Sequence, residues 1–93
     1  MYYRKLRYIE TGSRQLIFHY DGEQIFHLGT LLDFEKELCP KTFFRCNNSY
    51  LVNVTYIEEI LPDAHRYKIR LVTGEEFPLS RSKKKGKRQI TRL

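Results

Sequence analysis

Two short stretches hold residue types suited to binding chemistry. The first is Phe43 to Asn53, FFRCNNSYLVN, where two adjacent amides, Asn47 and Asn48, and the guanidinium of Arg45 interrupt an apolar run. An amide side chain can bridge an adenine edge in the major groove or bond a phosphate. The same two residues equally suit a tight turn, because Asn tolerates left-handed backbone and bonds its own loop. The second stretch is Ser80 to Arg88, SRSKKKGKR. Arg81 follows a strand-like segment, and an Arg on a fixed base presents a planar fork to guanine or phosphate. Lys83, Lys84 and Lys85 suit phosphates as point charges.

Nothing in the chain reads as catalysis. It has no Gly-rich phosphate loop, no HExxH and no GxSxG. The acids sit singly or as adjacent pairs on faces expected to be solvated. Cys39 and Cys46, with His19, His27 and His65, lack the paired close spacings of a zinc site. No metal, no cofactor and no enzyme activity are therefore expected. Two thiols in so apolar a chain read as reduced and partly buried in an intracellular protein.

The charge is unevenly placed. The net charge is +6, yet seven basic residues and no acid fall between Ser80 and Leu93. The ten remaining Lys and Arg face all eleven acids, so the rest of the chain carries about −1. A basic segment attracts polyanions, or it simply keeps a chain soluble. The N-terminus MYYRKLRYIE lacks the apolar stretch of a secretion signal, and no apolar run reaches membrane-spanning length.

Ninety-three residues suit one domain, 1–93, and 41% hydrophobic residues suffice for a core. Strands are expected at Leu6–Glu10, Gln15–Tyr20 and Gln24–Leu28, with Asp21-Gly22 closing a hairpin. Thr30 should cap a short helix whose Leu31, Phe34 and Leu38 share one face, and Pro40 should stop it after Cys39. FFRCNNSYLVNV reads as strand, turn, strand, with Phe44 in the core. Tyr56–Leu61 is ambiguous between strand and helix, and Pro62–Arg66 reads as a turn. Tyr67–Val72 alternates, with Tyr67, Ile69 and Leu71 on one face. Glu75–Leu79 is a last strand, with Pro78 marking an edge or the end of that strand. The expectation is a mainly β fold with six or seven strands, mostly antiparallel, and one or two short helices.

Taken together, FFRCNNSYLVNVTYIEEI, a strand, the TGEE turn and FPLSR resemble the LytTR DNA-binding domain of bacterial transcriptional regulators. Phe44, Arg45, Ser49, Tyr50, Val52, Asn53 and Ile57 match the first half of that family's pattern. Gly74, Pro78, Ser80 and Arg81 match its ending, and Tyr8–Glu10 and the helical stretch TLLDFEKEL fall in family order. The family commonly has His where this chain has Asn47. It also starts with a strand ahead of the YIE segment, for which Met1 to Lys5 is short.

The resemblance implies small stacked antiparallel sheets that touch duplex DNA through three loops rather than a recognition helix. By position these are the turn holding Ser13 and Arg14, the Asn47-Asn48 turn, and Arg81 with Lys83, Lys84 and Lys85. It implies bacterial cytoplasm, two copies on repeated sites, and often a phosphoryl-receiver domain of a two-component system, which this chain does not contain. The chain is then either a domain of a longer regulator or a short natural variant. The rival readings are an RNA-binding β-domain, which would stack bases on exposed aromatics, and a protein-interaction or ligand-sensing module with an incidental basic tail.

Overall fold

The computed structural model describes residues 5–38 and 41–80. Arg81, Lys83, Lys84, Lys85, Cys39 and Pro40 lie outside the described residues.

The chain alternates with a period of two, and hairpins joined by one crossover build its sheets. The strands are β1 (Leu6–Thr11), β2 (Leu16–Tyr20), β3 (Glu23–His27), β4 (Phe43–Asn47), β5 (Tyr50–Asn53), β6 (Ile57–Asp63), β7 (Arg66–Leu71) and β8 (Glu76–Leu79). One helix, α1 (Leu31–Glu37), lies between β3 and β4. All pairings are antiparallel, in a five-stranded sheet ordered β3-β2-β1-β5-β4 and a three-stranded sheet ordered β6-β7-β8. Among the described residues there is one strand more than the sequence suggests, because the ambiguous YIEEIL stretch resolves into β6.

Three layers result. On one face of the large sheet, Leu6, Ile9, Leu16, Phe18, Tyr20, Phe43 and Leu51 form a core with Leu31 and Leu38, and Phe34 packs against it. On the other face, Tyr8, Cys46 and Val52 pack with Ile69, Leu71, Phe77 and Leu79 of the small sheet. Alternation of the side chains along each strand feeds both cores from one sheet. Phe43 is buried, whereas Phe44 is only half-buried against the second core, which tempers the expectation for Phe44.

Local signals set several element ends. Asp21-Gly22 closes the β2–β3 hairpin, with Gly22 at φ +75°. The Thr30 hydroxyl oxygen accepts from the Asp33 N–H at 3.2 Å and caps α1. The helix ends at Glu37, two residues ahead of the expected stop, with Leu38 already extended. Buried Asn53 donates to the Leu6 carbonyl at 2.8 Å and accepts from the Thr55 N–H at 3.0 Å. That double bond turns the chain through a 3-10 segment, Val54–Tyr56, into β6. Pro62 and Asp63 belong to β6, so the expected Pro62–Arg66 turn narrows to Ala64-His65, with Ala64 at φ +58°.

A polar clamp joins the sheets. The guanidinium of Arg7 pairs with Glu75 and donates to Thr73 Oγ1 at 3.0 Å and to the Tyr20 carbonyl at 3.3 Å. Its Nε stands 3.7 Å from Asp21. Burial raises the Glu75 carboxyl, but hydrogen bonds from Thr73, the backbone and Arg7 outweigh it and hold the group below the ordinary carboxylate range. No described helix is long and apolar enough to cross a membrane.

Candidate nucleic-acid interface

The antiparallel order brings the Gly12–Gln15 turn after β1, the Asn48-Ser49 turn after β4 and the end of β8 to one end of the molecule. The Thr11 N–H donates to the Ser49 carbonyl at 3.0 Å, and Thr11 Oγ1 reaches the same oxygen at 3.5 Å. The Ser80 N–H donates to the Cys46 carbonyl at 2.8 Å. These contacts tie the first turn to the second and the second to the end of β8. None of the three segments carries an acid. The Asp21-Gly22 hairpin and the Arg7–Glu75 clamp lie at the opposite end.

Arg14 and Ser13 are both exposed in the first turn, which the Gly12 N–H closes on the Gln15 carbonyl at 2.7 Å. Arg14 sits at φ +81°, left-handed backbone that a side chain rarely adopts. Such strain costs of order 1–3 kcal/mol and collects at binding sites. Arg14 and Arg45 line an open cleft of about 410 Å³ together with Thr30, Leu31 and Leu32 at the start of α1.

The second turn separates its two amides. A register shift between Arg45 and Asn47 re-aims the Asn47 side chain. Its Nδ2 donates to the Pro78 carbonyl at 2.7 Å, and its Oδ1 accepts from the Ser49 N–H at 2.8 Å. Both halves of that amide are thus engaged within the protein. Asn48 is exposed, and among the described residues its side-chain amide has no hydrogen-bond partner. Arg45, half-buried, reaches the Asn48 carbonyl at 3.4 Å and Glu35 of α1 at 3.3 Å. Sequence reasoning put Arg45 in the motif without a role, and the structure makes it the strut under Asn48. Its spacing in the FFRCNN run was the only signal.

Cys46, on the same bulge, is fully buried, and burial pushes its thiol up to about 12. A neutral, inaccessible thiol is a core group, not a nucleophile. Among the described residues no group of His, Cys, Asp and Glu could hold a metal ion.

Comparison with known proteins agrees with this geometry. The family model for the LytTr DNA-binding domain matches residues 2–91. The transcriptional regulatory protein YpdB of Escherichia coli K12 is 42% identical over 89 residues, which is 92% of this chain and 36% of that protein. YpdB of Shigella flexneri matches to the same extent. The chain thus spans about a third of the length of the curated relatives it matches. A solved LytTr DNA-binding domain from Bacillus cereus superposes with a TM-score of 0.87 at 28% identity, covering 100% of this chain and 86% of that one.

Proposed function

The chain belongs to the LytTR family of DNA-binding domains, and on that premise we propose that its three clustered loops enter the major groove of a specific duplex site. Asn48 and Arg14, with Ser13 beside it, read base edges from the two turns. Arg81 reads a further base from the end of β8, and Lys83, Lys84 and Lys85 neutralise phosphates. Asn47 holds the Asn48 turn against β8. The domain is the output part of a bacterial transcriptional regulator acting in the cytoplasm. Two copies occupy repeated sites, and a receiver domain of a response regulator stands in the parent protein. The domain performs no catalysis.

One observation carries this reading: two acid-free turns and the end of β8 are hydrogen-bonded together at one end of a β framework, with the strained Arg14 and the unengaged Asn48 amide among them. A base-stacking RNA platform needs open aromatic faces. Tyr8, Tyr50 and Phe77 instead pack on one another, with ring centroids 4.6–6.1 Å apart.

Affinity for a selected duplex, measured against salt, tests the proposal. If about five phosphates are met, log K falls against log salt with a slope of about −4 to −5. A flat titration, or tighter binding to single-stranded RNA of the same length, overturns it.

A further inference from the structure

An open sheet edge is a row of unpaired N–H and C=O groups, and proteins guard such rows with Pro, charge, bulges or a covering segment. Among the described residues, three of the four edges are guarded by more than one charged residue, a Pro or a register shift. β4 carries Arg45 and a register shift, and the end of β8 is tied to it through Ser80 and Asn47. β6 carries Glu58, Glu59, Pro62 and its own register shift. β8 carries Pro78. β3, Glu-Gln-Ile-Phe-His, is the least guarded: its one charged residue, Glu23, stands at its start, and it has no Pro and an unbroken register with β2. Ile25 is 37% exposed and Phe26 54%.

We propose that β3 is a self-association edge, onto which a second copy of this chain adds its own β3 antiparallel with the two Ile25 side chains opposed. The backbone supports that pairing. The two-residue hairpin makes Tyr20 and Glu23 a hydrogen-bonded pair, so Glu23, Ile25 and His27 spend their amides on β2. Gln24 and Phe26 therefore aim their N–H and C=O outward. Centring the pair on Ile25 sets Gln24 opposite Phe26 twice, and each such pair exchanges both ladder bonds.

Side-chain chemistry favours the same register. Glu23 comes opposite His27 at both ends of the pair, a carboxylate facing an imidazole, while the two Ile25 side chains meet as a close non-hydrogen-bonded pair. A single strand pair is a small interface, so the dimer is weak.

Antiparallel addition reverses the strand direction. The loop ends of the two copies then point away from each other. Taken with the function proposed above, such a dimer holds two duplexes, or two distant segments of one, and does not sit on adjacent repeats.

Sedimentation of the chain without DNA, from about 10 µM to 1 mM, tests the edge. The weight-average mass is expected to climb towards twice the monomer. Ile25→Lys sets like charges face to face and should weaken association at least 10-fold, with the melting temperature and single-site DNA affinity kept. Ile25→Cys in a Cys39→Ser background should cross-link under mild oxidant, while Val72→Cys, exposed on the β7–β8 turn, should not. A monomeric mass at 1 mM overturns the proposal, as does unchanged association in Ile25→Lys. Loss of DNA binding by the wild-type domain would overturn the DNA reading and leave the sedimentation result standing.

Discussion

Asn47 Nδ2 donates to the Pro78 carbonyl at 2.7 Å, joining the β4–β5 turn to β8 across 31 residues of sequence. With its Oδ1 taken by the Ser49 N–H, the side chain is a bracket between two segments of the proposed interface. Asn47→Ala should cost about 1 kcal/mol of stability, the usual net worth of such bonds. Asn48→Ala should change stability by less than about 0.5 kcal/mol, as surface substitutions do. It should weaken cognate binding by about 1–3 kcal/mol. Denaturant melts beside cognate and scrambled-duplex titrations separate the two. If Asn47→Ala matched Asn48→Ala in both, position 47 would be a base reader.

Arg14 gives a test in which stability and binding move in opposite directions. At φ +81° a glycine is unstrained, so Arg14→Gly should hold or raise stability, by up to about 1 kcal/mol. It should weaken DNA binding because the guanidinium is gone. A stability loss with binding intact would remove Arg14 from the interface.

Arg81 and the lysines after it should differ in kind. Arg81→Ala should lower affinity for the cognate duplex far more than for random duplex. Lys84→Ala should weaken both about equally and reduce the salt slope by about one. Arg81→Lys should not rescue, since an ammonium lacks the fork. Equal losses on both duplexes for Arg81→Ala would make it one more phosphate contact.

Glu75 predicts an acid-sensitive joint between the sheets. Its folded-state pKa is depressed below an ordinary value near 4.5. The native state therefore binds that proton less readily than the unfolded chain. The contribution is full above about pH 4.5 and fades as pH falls through the lower folded value. The urea midpoint of the wild type should drop more steeply below about pH 4.5 than that of Glu75→Gln. Parallel curves would show that Glu75 contributes nothing to the joint.

Cys46 titrates in the other direction. Its folded value of about 12 lies above the ordinary 9.0, so the native state keeps a proton that the unfolded chain gives up. Stability from this group is intact below about pH 9 and declines as pH rises towards 12. In a Cys39→Ser background, Cys46 should resist thiol reagents at pH 8 until denaturant is added. Rapid labelling of the folded domain would contradict its burial.

Local chemistry made much of the fold legible. Asp21-Gly22, the Thr30 cap and the alternation of Tyr67, Ile69 and Leu71 each act over a few residues, and each stands where the sequence indicates. What long-range contacts decide was not legible. The path from β5 into β6 depends on Asn53 bonding the Leu6 carbonyl, 47 residues away. The same holds at the interface. Sequence chemistry offered Asn47 and Asn48 as equivalent candidates, turn formers or base readers. Only the approach of Pro78 distinguishes them, and no local pattern announces it. Ser13 and Arg14 entered as candidates through the family pattern alone, because an exposed turn residue leaves no periodic trace.

The joint between the sheets is fastened at both ends, by Arg7 with Glu75 at one and by Asn47 and Ser80 at the other. Sheets fastened in this way cannot scissor about their shared core. If the turns they carry enter the groove as proposed, they should keep in the free state the spacing they need there, so little conformational entropy is lost on landing. Encounter then becomes a matter of diffusion and orientation rather than of waiting for a competent shape, and differences among binding sites should show in how long the domain stays.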